Sequence, residues 1–213
     1  MAKNKTQRKF MSQTQTFRGT HWIVPLLISG VSLLIHWTEP SASELLSYQR
    51  EAIAHGEFWR ILSGHFCHLG SAHLTLNLLG LWLITLLFMQ TLTANTMSTI
   101  LLGSMLGCSA GLWSLTPYVS SYVGLSGALH GLMVGAALLD FKQHLFTNAL
   151  LLTGVLAKVI WENSAYYTDT TSQMIGGHVL VQSHLFGAIS GAITACLILF
   201  YAGLHIKKYK MSA

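Results

Sequence analysis

Charge is what this chain has least of. Of 213 residues only 9% are Asp, Glu, Lys or Arg, against 52% hydrophobic residues and a mean hydropathy of +0.50. Soluble domains carry about 25% charged residues, so an ordinary water-soluble globule is excluded. Proline is almost missing, with three residues, and no Ser/Pro-rich linker interrupts the apolar runs, which points to one embedded domain. Three cysteines, Cys67, Cys108 and Cys196, are too few and too odd in number for a disulfide framework. A bridge between Cys67 and Cys108 stays open at this stage.

What is present is a set of six apolar segments, roughly 21–37, 72–92, 97–116, 126–141, 145–162 and 178–205, each near the ~20 residues that cross a bilayer. The expected fold is therefore all-α, a polytopic membrane protein with six transmembrane helices. A basic tail over 1–20 precedes the membrane domain over 21–205, and a second basic tail over 206–213 follows it. The net charge of +5 does not indicate nucleic acid, because the cations flank the apolar runs: Lys3, Lys5, Arg8, Lys9 and Arg18 before the first, Lys207, Lys208 and Lys210 after the last. Cytoplasmic termini put nine of the twelve cations inside, Lys142 included. A signal peptide is disfavoured because His36, Trp37 and Glu39-Pro40 follow the first run where small residues would mark cleavage. The loop over 38–71 then faces outward, and Trp22, Trp37, Trp113 and Tyr118 read as interfacial anchors.

The fourth segment is short. A helix from Ser126 to Asp140 measures about 22 Å against a ~30 Å hydrocarbon core, so its lead-in from Pro117 to Gly124 must dip into the membrane as irregular backbone. Such backbone is tolerated only against protein or a wet cavity. Gly124-Leu125-Ser126-Gly127 turns that lead-in into the helix and places Ser126 near free amide donors, an arrangement suited to a nucleophile. Gly127, Gly131 and Gly135 also recur at the spacing of close helix packing, and packing alone would account for them. The sixth segment repeats the period with Ser183, Gly187, Gly191 and Ala195, and His184 lies beside it at a comparable depth. Paired ladders would bring Ser126 and His184 together as nucleophile and general base. His73 and Asn77, four residues apart in the second segment, share one helix face and can donate to an oxyanion; an interhelical polar clamp is the plainer alternative.

Together, His73-x-x-x-Asn77, Gly124-x-Ser126-Gly127 and His184-x-x-Gly187-x-x-x-Gly191 resemble the rhomboid family of intramembrane serine proteases. Trp59-Arg60 and His68 resemble that family's outer-loop motif. The resemblance implies a dyad of Ser126 and His184, an oxyanion site of His73, Asn77 and the Ser126 amide, and no third acidic residue. It implies neither metal nor organic cofactor. Where most rhomboids carry Tyr or Phe four residues after the serine, this chain has His130. With Lys158-x-x-Trp161-Glu162 in the fifth segment, it resembles the rhombosortase branch.

That branch implies a bacterial inner-membrane enzyme, open to the periplasm, acting on exported proteins with a Gly-Gly C-terminal transmembrane tail in organisms with type II secretion. By analogy with sortases cleavage is coupled to transfer onto an amine; Lys158, Trp161 and Glu162 are the candidate substrate-binding residues, with Glu162 placed to position an amine acceptor. His130, one turn from Ser126, competes with His184 as base or else stacks on it. Lys158 and Glu162, also four apart, are expected to neutralise each other.

Other readings are a general rhomboid protease that releases ectodomains, a non-catalytic rhomboid-like protein that binds substrates, a transporter, and a metal site at His65, His68 and His73. The metal reading lacks an H-E-x-x-H spacing. The transporter reading lacks an internal repeat.

Overall fold

The computed structural model describes residues 20–211; the basic residues 1–19 lie outside the described residues. Helices stand at all six apolar segments: α1 (Ile23–Trp37), α5 (Ser71–Leu87), α6 (Ala94–Leu115), α7 (Ser126–Asp140), α8 (Leu145–Glu162) and α10 (Val181–Met211). Short pieces fill the connections, namely α2 (Ser41–Leu46), β1 (Tyr48–Gln49), α3 (Arg50–Ala54), α4 (Arg60–Ser63), β2 (Ser121–Tyr122) and α9 (Ser172–Ile175). Among the described residues three helices, α6, α8 and α10, are long and apolar enough to cross a membrane. A fourth span arises if Arg60–Phe66 and α5, bent by 95° across a short break, count as one, whereas α1 and α7 are shorter apolar helices. α10 runs on to Met211, so the three C-terminal lysines lie on helix.

Helix α7 is the axis of the fold. Gly127 and Gly131 face Gly187 and Gly191 of α10 so closely that a Cβ on Gly187 or Gly191 would strike the carbonyl of Gly127 or Gly131. Backbones in such contact need glycine on both sides. A second ladder, Gly103, Gly107 and Gly111 of α6, receives Thr194, Ser190 and Phe186 of α10, an arrangement the sequence reading missed although its period is the same. The dry core continues with Leu81, Met97, Ile100, Leu125 and Leu132, all fully buried.

Helix α8 attaches differently, for its buried residues are only Asn148, Val159 and Glu162. Near its start, Asn148 donates to Asp140 at 2.8 Å. Thr91 (2.6 Å) and His144 (2.7 Å) complete the carboxylate's partners. A buried carboxylate satisfied this fully is stable where an unpartnered one would not be.

The long loop between α1 and α5 is stitched down by two arginines. Arg60 donates to Glu57 (2.6 Å) and to the carbonyls of Ser47 and Glu44 (2.9 Å each), while the Trp59 indole donates to Leu45. Arg50 donates to the carbonyls of Leu112, Trp113, Thr116 and Val119 and stacks over the Trp113 ring, closing the end of α6. β1 pairs antiparallel with β2, Tyr48 opposite Tyr122, so the loop and the lead-in to α7 form one unit. The thiols of Cys67, Cys108 and Cys196 are free.

Candidate active site

Gly124 sits at φ +122°, a conformation that favours glycine, and a Cβ there would lie 2.7 Å from the His73 ring. The Gly124 amide is fixed by the Gly64 carbonyl at 3.1 Å and its own carbonyl accepts from the Tyr122 hydroxyl at 2.5 Å. The lead-in therefore arrives at Ser126 in one conformation, and α7 begins on that residue as expected.

Ser126 Oγ lies 3.0 Å from His184 Nε2. The other ring nitrogen, Nδ1, lies 2.8 Å from Glu162 Oε2. An ionised carboxylate only accepts, so Nδ1 carries the proton and Nε2 presents its lone pair to the serine hydroxyl. A hydroxyl facing an unprotonated imidazole nitrogen, itself oriented by a third group, is the arrangement that activates a serine. A dyad requires no third acidic residue and the sequence offered none at an obvious place, yet a carboxylate on α8 reaches the candidate base. Both His184 and Glu162 are buried.

The bonds continue. Glu162 Oε1 accepts from the Lys158 ammonium, which also donates to His130 Nε2 at 3.2 Å. His130 Nδ1 donates to the Ser126 carbonyl at 2.8 Å, since a carbonyl can only accept. The circuit is closed: Ser126 hydroxyl, His184, Glu162, Lys158, His130, Ser126 carbonyl. The His130 and His184 rings stack, 4.1 Å apart and 16° from parallel. His130 has its Nε2 lone pair occupied by a cation and its Nδ1 proton on a carbonyl. That geometry suits orienting His184 rather than competing with it for the serine proton.

His73 and Asn77 stand on the other side of Ser126. The Leu69 amide donates to His73 Nδ1 at 3.3 Å, which leaves the His73 proton on Nε2. Asn77 uses one amide proton on the His73 carbonyl at 3.1 Å, and the second is unassigned. His68 packs edge-on against His73, ring centroids 5.1 Å apart, and donates from Nδ1 to the Phe66 carbonyl. Burial, together with the neighbouring His73, pushes the His68 pKa down to about 3, so its ring stays neutral.

The three histidines of the metal reading do not converge, because His65 Nε2 faces Ser109 Oγ and the Met105 carbonyl, both at 3.1 Å. His130, Glu162 and His184 do bring ligand atoms within 4.8 Å of one another. Lys158 already bonds two of them, placing its own cation in that triangle. The candidate substrate-binding residues are divided: Lys158 and Glu162 belong to the circuit and line the cavity, while Trp161 is exposed and lies outside it.

Above Ser126 opens a cavity of about 1260 Å³. Part of its wall is apolar, with Leu76 and Leu83 on α5, Met133 on α7 and Val155 on α8. Ser126, His184, His73 and Asn77 all line it, so a serine hydroxyl, its candidate base and two candidate oxyanion donors share one cleft in an apolar helical protein. That is the layout of an intramembrane serine hydrolase.

Comparison with protein families specifies the class. The model of the Rhomboid domain matches residues 55–201, well over half of the chain, and the chain belongs to the rhomboid family of intramembrane serine proteases. No curated protein matches the chain significantly.

Proposed function

We propose that this protein is an active rhomboid-type protease of the rhombosortase branch, with Ser126 as nucleophile and His184 as general base. The observation that carries the reading is the 3.0 Å contact between Ser126 Oγ and an Nε2 whose proton is held elsewhere. The serine oxygen attacks the scissile carbonyl as its proton passes to His184 Nε2. The resulting oxyanion is met by His73 Nε2, Asn77 Nδ2 and the Ser126 amide, and His184 then protonates the leaving amine. Water or an amine resolves the acyl-enzyme. Burial of the site in apolar surroundings strengthens each of these interactions.

The chain is proposed to cross the bacterial inner membrane six times with both termini in the cytoplasm and the cavity open to the periplasm. The flanking lysines and arginines support that orientation, and the short α7 with its irregular lead-in supports an outward-facing cavity. Substrates are exported proteins with a C-terminal transmembrane tail. His130 and the Lys158–Glu162 pair, both at the site, support the branch assignment. A Gly-Gly segment would leave its helix easily, since each glycine lowers helix stability by about 1 kcal/mol relative to Ala.

The test is the intact mass of a reporter with a Gly-Gly-type C-terminal tail, coexpressed with the protein, with Ser126→Ala or with His184→Ala. Cleavage by the wild type alone supports the reading, and added mass on the new C-terminus distinguishes transfer from hydrolysis. An intact reporter beside a cleaved generic transmembrane substrate returns the chain to the general rhomboid proteases. Cleavage that survives both substitutions refutes the Ser-His mechanism.

A further inference from the structure

Two ionisable side chains of α8 stand at the candidate site without a part in a Ser-His dyad. We infer that Glu162 is a positioning residue for His184, completing a Ser126–His184–Glu162 triad, and that Lys158 fixes which way the Glu162 position can hydrogen-bond. The inference rests on the reading of Ser126 as nucleophile and His184 as base.

The circuit is polar in one direction only. Lys158 has donors and no acceptor, so whatever occupies position 162 must accept from it; the backbone carbonyl of Ser126 fixes His130 in the same way at the other end. With Glu162 both oxygens accept, one from Lys158 and one from His184 Nδ1, and the serine meets a bare Nε2. The sequence separations, four residues on α8 and 22 between Glu162 and His184, show that this is a tertiary arrangement built across two helices. His184 and Glu162 are both buried at the cavity wall, and the carboxylate is the side chain that meets Nδ1.

This chemistry makes Glu162→Gln informative. Its carbonyl oxygen must turn to Lys158, which leaves the amide NH2 against His184 Nδ1. Nδ1 then becomes an acceptor, the ring proton moves to Nε2, and the serine loses its base. The same tautomeric error in a soluble serine protease triad costs about 10⁴-fold. Removing the lysine as well releases the constraint. In the Lys158→Met, Glu162→Gln double variant the amide is free to turn over and accept from His184 Nδ1 with its oxygen, leaving its nitrogen toward the His130 Nε2 lone pair that Lys158 has vacated. A second substitution is therefore expected to restore what the first removed.

The experiment uses the full-length protein in detergent micelles and a fluorophosphonate probe. Ser126 Oγ bonds to phosphorus, the P–F bond breaks, fluoride departs, and the serine proton leaves through His184. Ser126→Ala is the blank. Glu162→Gln is expected to slow labelling by about 10²–10⁴-fold, with the loss in the maximal inactivation rate and not in the probe's apparent KI. Lys158→Met alone is expected to be the milder variant, and the double variant to label at least about tenfold faster than Glu162→Gln. Thermal unfolding midpoints accompany each rate, because Glu162→Gln also leaves the Lys158 charge unpaired; rescue counts for the inference only where the midpoints of Glu162→Gln and the double variant agree. A Glu162→Gln rate within about threefold of wild type, or a double variant no faster than Glu162→Gln, overturns the inference. Wild type that fails to label at Ser126 refutes the underlying serine-enzyme reading, and the triad with it.

Discussion

The two sides of α7 are built on opposite plans. Toward α10 and α6 there are glycine ladders, backbones in direct contact and no room for a methyl group at Gly127, Gly131, Gly187 or Gly191. Toward α5 and α8 there is a cavity of about 1260 Å³ with a few hydrogen bonds across it. The packed side sets the depth and facing of Ser126 against His184, as close packing permits few alternatives. The open side holds α8 by polar contacts near its two ends, Asn148 to Asp140 and Glu162 to His184, together with Leu151 and Leu152 against the core and a buried Val159. Precision and access are thus assigned to different faces of one helix.

Leucine substitutions test that division most severely. Gly187→Leu drives a side chain into the Gly127 carbonyl, which is backbone and cannot yield. A cost of about 3 kcal/mol or more is expected, at the upper end of overpacking penalties, read as a collapse of the thermal unfolding midpoint with loss of probe labelling. Removing Arg50, which satisfies four carbonyls at the end of α6, should cost about 1–3 kcal/mol in Arg50→Ala. Reporter cleavage should fall with stability there, because the lead-in to Ser126 is anchored by the same contacts. Val155→Trp on the cavity wall should leave the unfolding midpoint unchanged while raising KM for the reporter several-fold; a fall in kcat with KM unchanged would contradict the assignment of this face to access. Gly154→Leu is the smallest effect, since nothing lies within 4 Å of a Cβ on that residue. An unfolding midpoint within the error of wild type is expected, and a large loss would mean that α8 packs more tightly than described.

The helical framework was legible in the sequence because apolar periodicity and length carry it, down to the start of α7 at Ser126. The mating of Gly127 and Gly131 with Gly187 and Gly191 was legible for the same reason, as a period of four. Gly103, Gly107 and Gly111 carried an equal signal and were overlooked among the serines of α6. The role of Glu162 could not be read. Its neighbour at i−4, Lys158, gave it a complete local explanation, and only the tertiary fold reveals that its second oxygen lies against His184. Arg50 was hidden differently, for its four acceptors are carbonyls 62 to 69 residues ahead, and carbonyls leave no mark in a sequence.

Order of synthesis follows from the position of His184. Ser126 and His184 are separated by 58 residues, so at about 5–20 residues per second the serine exists for about 3–12 s before its imidazole has been translated. Glu162 and Lys158 arrive in between, and α10 comes last. On the proposed mechanism, a nascent chain therefore carries a serine without its base until its final helix is inserted, and the order of translation alone keeps that serine silent.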